Sequence, residues 1–137
     1  MYLLNHPKIP GKENLYVESF YKMLEVVYDL YRRGVSIVPG TDGLPGFLYH
    51  RELELYVRSG IPAAEVLKIA TIKSAELTGV SADFGSIEVG KQADLILIEG
   101  NPTEDISDIR KITWTMKGGN LYYARELYAA MGIKHFK

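Results

Sequence analysis

Leu15, Phe20, Met23, Leu24, Val27, Leu30 and Tyr31 recur three and four positions apart, and this spacing predicts an amphipathic helix over 15–33. Asn14 can cap its start, Arg32 and Arg33 suit the negative end of its dipole, and Gly34 can take the left-handed conformation that stops it. The β-branched run Val35-Ser36-Ile37-Val38, closed by Pro39-Gly40, reads as a short buried strand. A loop over 40–46 leads to Tyr49, Leu53, Tyr56 and Val57, the stripe of a second helix that Gly60 ends. A third opens at Pro62, whose missing N–H is no loss at a first helical position. Val66, Leu67, Ile69 and Ala70 form its apolar face, and helical spacing runs on to Leu77 before Gly79.

Beyond Gly79 the pattern changes. Residues 84–91 are rich in turn formers, Leu95-Ile96-Leu97-Ile98 is a strand ended by Gly100-Asn101-Pro102, and Ile112-Thr113-Trp114-Thr115-Met116 alternates as a second strand. Lys117-Gly118-Gly119-Asn120 supplies a hairpin turn into Leu121-Tyr122-Tyr123, and a short helix over 125–131 stops at Gly132. The fold class is therefore α/β, with helices around one strand first and a small sheet afterwards.

Composition narrows the chemistry. The 137 residues carry 16 Lys and Arg against 17 Asp and Glu, for a net charge of -1, and 47% are hydrophobic. Interspersed charge gives no basic face for a nucleic-acid backbone. Without cysteine, disulfide scaffolds, thiolate metal sites and cysteine nucleophiles are excluded. The first residues lack the basic and apolar stretches of a secretion signal, no window is apolar enough for a membrane span, and the expected compartment is the cytoplasm. The length would serve a single domain, which buries roughly two thirds of its unfolded surface at this size.

The residues that could carry chemistry are few. Asp42 stands just beyond the carboxyl end of the 35–38 strand, the end at which β/α barrels gather their active sites. Asp42-Gly43 is equally a common turn dipeptide. His6, His50 and His135 show no metal-ligand spacing, and His6 and His135 lie near the termini as solvated residues. His50 opens the second helix close enough to Asp42 for both to face one cavity, or it is a polar first-turn residue with no ligand. Residues 85–91 fit the first seven positions of a phosphate-binding loop, yet Gln92 replaces the required hydroxyl and a strand follows in place of a helix. Two tight turns are the plainer account. The ten tyrosines suit half-wet packing surfaces and come with no basic stripe.

Taken in order, Gly34-Val35, Gly40-Thr41-Asp42, His50-Arg51-Glu52-Leu53-Glu54-Leu55, Ala70-Thr71, Leu77-Thr78-Gly79 and the run from Gly85 to Leu95 resemble the C-terminal part of amidohydrolase-superfamily enzymes. That group includes imidazolonepropionases, dihydroorotase-like enzymes and Xaa-Pro dipeptidase-like amidohydrolases, and the tail from Leu127 to Phe136 most resembles the last of these. The resemblance implies the closing part of a metal-dependent β/α barrel over 1–80, part of a small β-sandwich over 81–123, and a C-terminal helix and tail over 124–137. It implies hydrolysis of a carbon–nitrogen bond in a small-molecule amide or dipeptide, with Asp42 as metal ligand and catalytic carboxylate and with Gly43 and His50 bordering the substrate. A divalent metal, zinc by expectation, belongs to the intact enzyme. The family's His-x-His pair, its bridging carboxylated lysine and two further histidines have no counterpart here, and a zinc site needs about three protein ligands. The expectation is thus that the isolated chain is inactive, binds no metal stably, and is completed by a missing N-terminal segment. The alternative is a non-catalytic interaction module, or half of a split enzyme, that assembles as an oligomer because its apolar faces and strand edges are uncovered.

Overall fold

A computed structural model describes residues 9–41 and 47–132. Helix α1 (Glu13–Arg32) is followed, over the described residues 35–41, by a stretch without regular secondary structure, then by α2 (Phe47–Ser59) and α3 (Ala63–Lys68). The rod of α3 runs on through a π-helical turn (Ile69–Lys73) into α4 (Ser74–Leu77). Strand β1 (Leu95–Ile98), a 3-10 helix (Ile106–Arg110), β2 (Ile112–Lys117), β3 (Asn120–Tyr123) and α5 (Ala124–Ala130) complete the order.

The periodic segments fold as their spacing requires, with differences at the ends. Helix α1 begins at Glu13, so Asn14 lies inside it and makes no cap; Glu13 Oε1 instead accepts the Gly11 N–H at 3.3 Å. Its far end behaves as predicted. Gly34 has φ +74°, its N–H bonds to Tyr31 O at 3.0 Å, and Val35 N–H reaches Leu30 O at 3.1 Å, which together satisfy carbonyls the helix leaves open.

The expected strand over 35–38 is not one: among the described residues it joins no sheet, and Val35 and Val38 are exposed. A strand is defined by its neighbours, and the sheet present here is the antiparallel β1-β2-β3, built wholly from residues 95–123. In that sheet Trp114 stands opposite both Leu97 and Tyr123. The hairpin closes through Gly118 and Gly119, with φ +55° and +82°, a pair of positive angles that two-residue turns matching the strand twist demand. Asp94 accepts the Gly118 N–H at 2.7 Å and ties the start of β1 to that turn. Residues 85–91 form turns, with Lys91 Nζ donating to Ser86 Oγ at 2.6 Å and no helix following.

The 3-10 helix lies outside the predicted elements. Asp105 caps it by accepting the Ser107 N–H at 3.0 Å, and it buries Ile106 and Ile109, three positions apart, against Leu53, Ile61, Ala63, Val66 and Ile69. The core thus sits between α2, α3 and this short helix. No helix among the described residues is long and apolar enough to cross a membrane.

Candidate functional site

Helix α2 meets the 35–41 stretch on one face and the 3-10 helix on another. Tyr49, Glu52 and Tyr56 are spaced three and four apart and share a face. Glu52 Oε1 accepts the Gly40 N–H at 3.1 Å, the Tyr56 hydroxyl reaches Val38 O at 3.1 Å and Glu52 Oε1 at 3.3 Å, and the Tyr49 hydroxyl donates to Ala70 O at 3.3 Å. Burial, and then the nearby Glu52 charge, push the Tyr56 phenol up to about 12, so it keeps its proton at neutral pH.

His50 and Glu54, one turn apart, face the other way. The Glu54 carboxylate accepts from Arg110 Nε of the 3-10 helix and from Arg51 Nη1 at 3.1 Å, and the hydrogen bond from Arg110 above all holds it below the ordinary carboxylate range. His50 is half-buried, and burial, reinforced by the Arg110 charge, lowers its pKa from the ordinary 6.5. Asp42 and Gly43 lie outside the described residues.

These two groups make folding pH-dependent in one direction. The folded state disfavours protonated His50, so this contribution is complete above about pH 6.5 and is lost as pH falls through the folded value. Glu54 acts likewise from about pH 4.5 downward. The urea midpoint should therefore drop between about pH 7.5 and about pH 5.5, and His50→Gln should flatten that step while leaving the more acidic one. An unchanged step in the variant would assign it to other groups.

Among the described residues no three His, Asp or Glu side chains lie together so as to hold a metal ion, so by themselves they do not fit the divalent ion of the resemblance. A groove of about 320 Å³ between α1 and α2, lined by Tyr21, Leu24, Tyr28 and Arg58 among others, is stapled internally: Arg58 donates to the Tyr21 hydroxyl at 2.8 Å and lies 5.3 Å from the Phe20 ring centre. Sequence reasoning missed Glu52, Tyr56, Glu54 and Arg110. The i, i+4 spacing of Glu52 and Tyr56 was the available sign, but it reads equally as a solvated helix face.

A helical layer against the 35–41 segment, with a small antiparallel sheet beside it, defines a mixed α/β unit. Residues 13–122 match the sequence profile of the Amidohydrolase family, and the chain belongs to that family. It is 34% identical over 122 residues to the ochratoxinase of Aspergillus niger, covering 80% of this chain and 25% of that protein. Over 96 residues it is 33% identical to the imidazolonepropionase of Sphingopyxis alaskensis, covering 63% of this chain and 24% of that one. The crystal structure of a Xaa-Pro dipeptidase with bound methionine in its active site superposes with a TM-score of 0.69 at 36% identity, over 74% of this chain and 25% of the other. The chain spans about a quarter of the length of the first of these relatives and of the dipeptidase. Such neighbours imply a barrel-type fold, of which this chain is compatible with a part.

Proposed function

We propose that this chain is the C-terminal part of a metal-dependent amidohydrolase that cleaves a carbon–nitrogen bond in a small amide or dipeptide. The observation that carries the reading is the family match over residues 13–122, taken with the motif order that places Gly40-Thr41-Asp42 ahead of α2. In this reading residues 1–80 close the barrel, 81–123 belong to its small β-sandwich, and 124–137 form a terminal helix and tail. Asp42 is the carboxylate this chain supplies, as a metal ligand and as acceptor of the attacking water's proton. Gly43 and His50 border the substrate, His50 as a neutral imidazole that donates or accepts a hydrogen bond. The other ligands come from a polypeptide carrying the remaining barrel strands. A divalent ion, zinc in this proposal, would make bound water acidic enough to attack at neutral pH.

The test is completion. The chain is produced alone, and together with the N-terminal remainder of a Xaa-Pro dipeptidase-like relative. Zinc content and hydrolysis of Xaa-Pro dipeptides and N-acyl amino acids are then measured. The pair should hold stoichiometric zinc and cleave at least one of these classes, and the chain alone should do neither. An assembled, zinc-loaded pair inert towards every amide would sink the reading.

A further inference from the structure

The stretch from Val35 to Gly40 joins no sheet among the described residues; beyond the Val35 N–H, which closes α1 on Leu30 O, two of its backbone polar groups are engaged by side chains of one helix. Gly40 donates its N–H to Glu52, and Val38 presents its carbonyl to the Tyr56 hydroxyl, which also touches the oxygen of Glu52 that Gly40 uses. A phenol has one proton, so Tyr56 shares it between the Val38 carbonyl and the carboxylate and joins both contacts into a single clamp. Tyr49, on the same face, fastens α2 to the α3 rod through Ala70 O. A Cβ at Gly40 would meet nothing within 4 Å and its φ is not positive, so neither crowding nor strain sets this position; what the fold uses there is the N–H.

We propose that Glu52, supported by Tyr56, is a positioning residue of the hydrolase site: the Glu52–Tyr56 clamp fixes the Val38–Gly40 backbone, and with it the point from which the chain continues to Asp42. The proposal rests on the amidohydrolase reading for its catalytic consequence, while the clamp itself involves neither metal nor substrate. A charged acceptor one helical turn from its supporting hydroxyl holds an amide more firmly than water does, because its partner is already oriented.

Amide hydrogen exchange and the proton shift of Gly40 in the full 137-residue chain test the clamp. Glu52→Ala should move the Gly40 amide upfield and speed its exchange roughly tenfold. Tyr56→Phe should give a smaller change of the same sign, and Glu52→Gln, which keeps an acceptor oxygen, should restore most of the protection. The amides of Leu53 and Val57 in the same helix should keep their rates, which separates loss of the clamp from loss of α2. In the completed pair Glu52→Ala should lower kcat with KM unchanged, and Glu52→Gln should recover it. Unaltered Gly40 exchange in Glu52→Ala overturns the clamp. A released Gly40 with undiminished kcat overturns the positioning role. Failure of the hydrolase reading shows differently, as an inactive wild-type pair in which Gly40 is still protected.

Discussion

Gly85→Ala is expected to destabilise the chain by about 3 kcal/mol, a large share of the roughly 5–15 kcal/mol that holds a domain together. Two costs combine. Gly85 has φ +95°, where an L side chain costs about 1–2 kcal/mol. Its backbone also lies directly against the π-helical turn: a Cβ there would stand 2.8 Å from Ala75 Cβ, 2.9 Å from Ile72 Cα and 3.2 Å from Thr71 O. Two of those atoms are backbone and the third is a methyl on a buried helical residue, so none can swing aside, and overpacking of this kind costs about 1–3 kcal/mol. Gly90 provides the control, since it has the same φ of +95° and a Cβ there would meet nothing within 4 Å. Urea midpoints should show Gly90→Ala paying the backbone cost alone, about 1 kcal/mol, and Gly85→Ala paying both. Equal losses would mean that the approach of Gly85 to the π turn contributes nothing.

Asp42→Asn is expected to lower kcat of the completed pair by about a thousandfold, within the range of roughly 10²–10⁴ that a positioned general base contributes. Asparagine keeps the shape of the side chain but cannot accept a proton, and its neutral oxygen is a weaker partner for a cation. Turnover and zinc content measured on one preparation separate the two losses: reduced turnover at full zinc identifies the proton acceptor, and reduced zinc identifies the ligand. Full activity in the variant would remove Asp42 from the mechanism.

Much of the fold was legible in the order of residues. The stripe from Leu15 to Tyr31 became α1, Tyr49 to Val57 became part of α2, and Gly118-Gly119 made the hairpin, because each depends on periodicity or on backbone freedom within a few positions. The 3-10 helix escaped notice because five residues, with Ile106 and Ile109 as its buried pair, are too short to display a period. The candidate site was legible in a different sense. Asp42 and His50 stand out by position, beyond the 35–38 run and near the start of the second helix, and take their expected roles, like Gly43, from the resemblance; Glu52 and Tyr56 show only an i, i+4 spacing, and nothing local joins Glu54 to Arg110.

What the sequence determined by itself was the helices from α1 to α3 and α5, the three strands of the antiparallel sheet, and the family, since these reside in spacing along the chain. Tertiary structure decided the rest. The Val35–Val38 run is an ideal strand by composition and yet pairs with nothing among the described residues, because a ladder is a property of two segments. Glu52 finds the Gly40 N–H twelve positions back, and Glu54 finds Arg110 fifty-six positions ahead. A charged residue on a helix face looks the same in sequence whether its partner is water or a group far along the chain; only the packing of α2 against its neighbours brings Gly40 and Arg110 within reach and settles which.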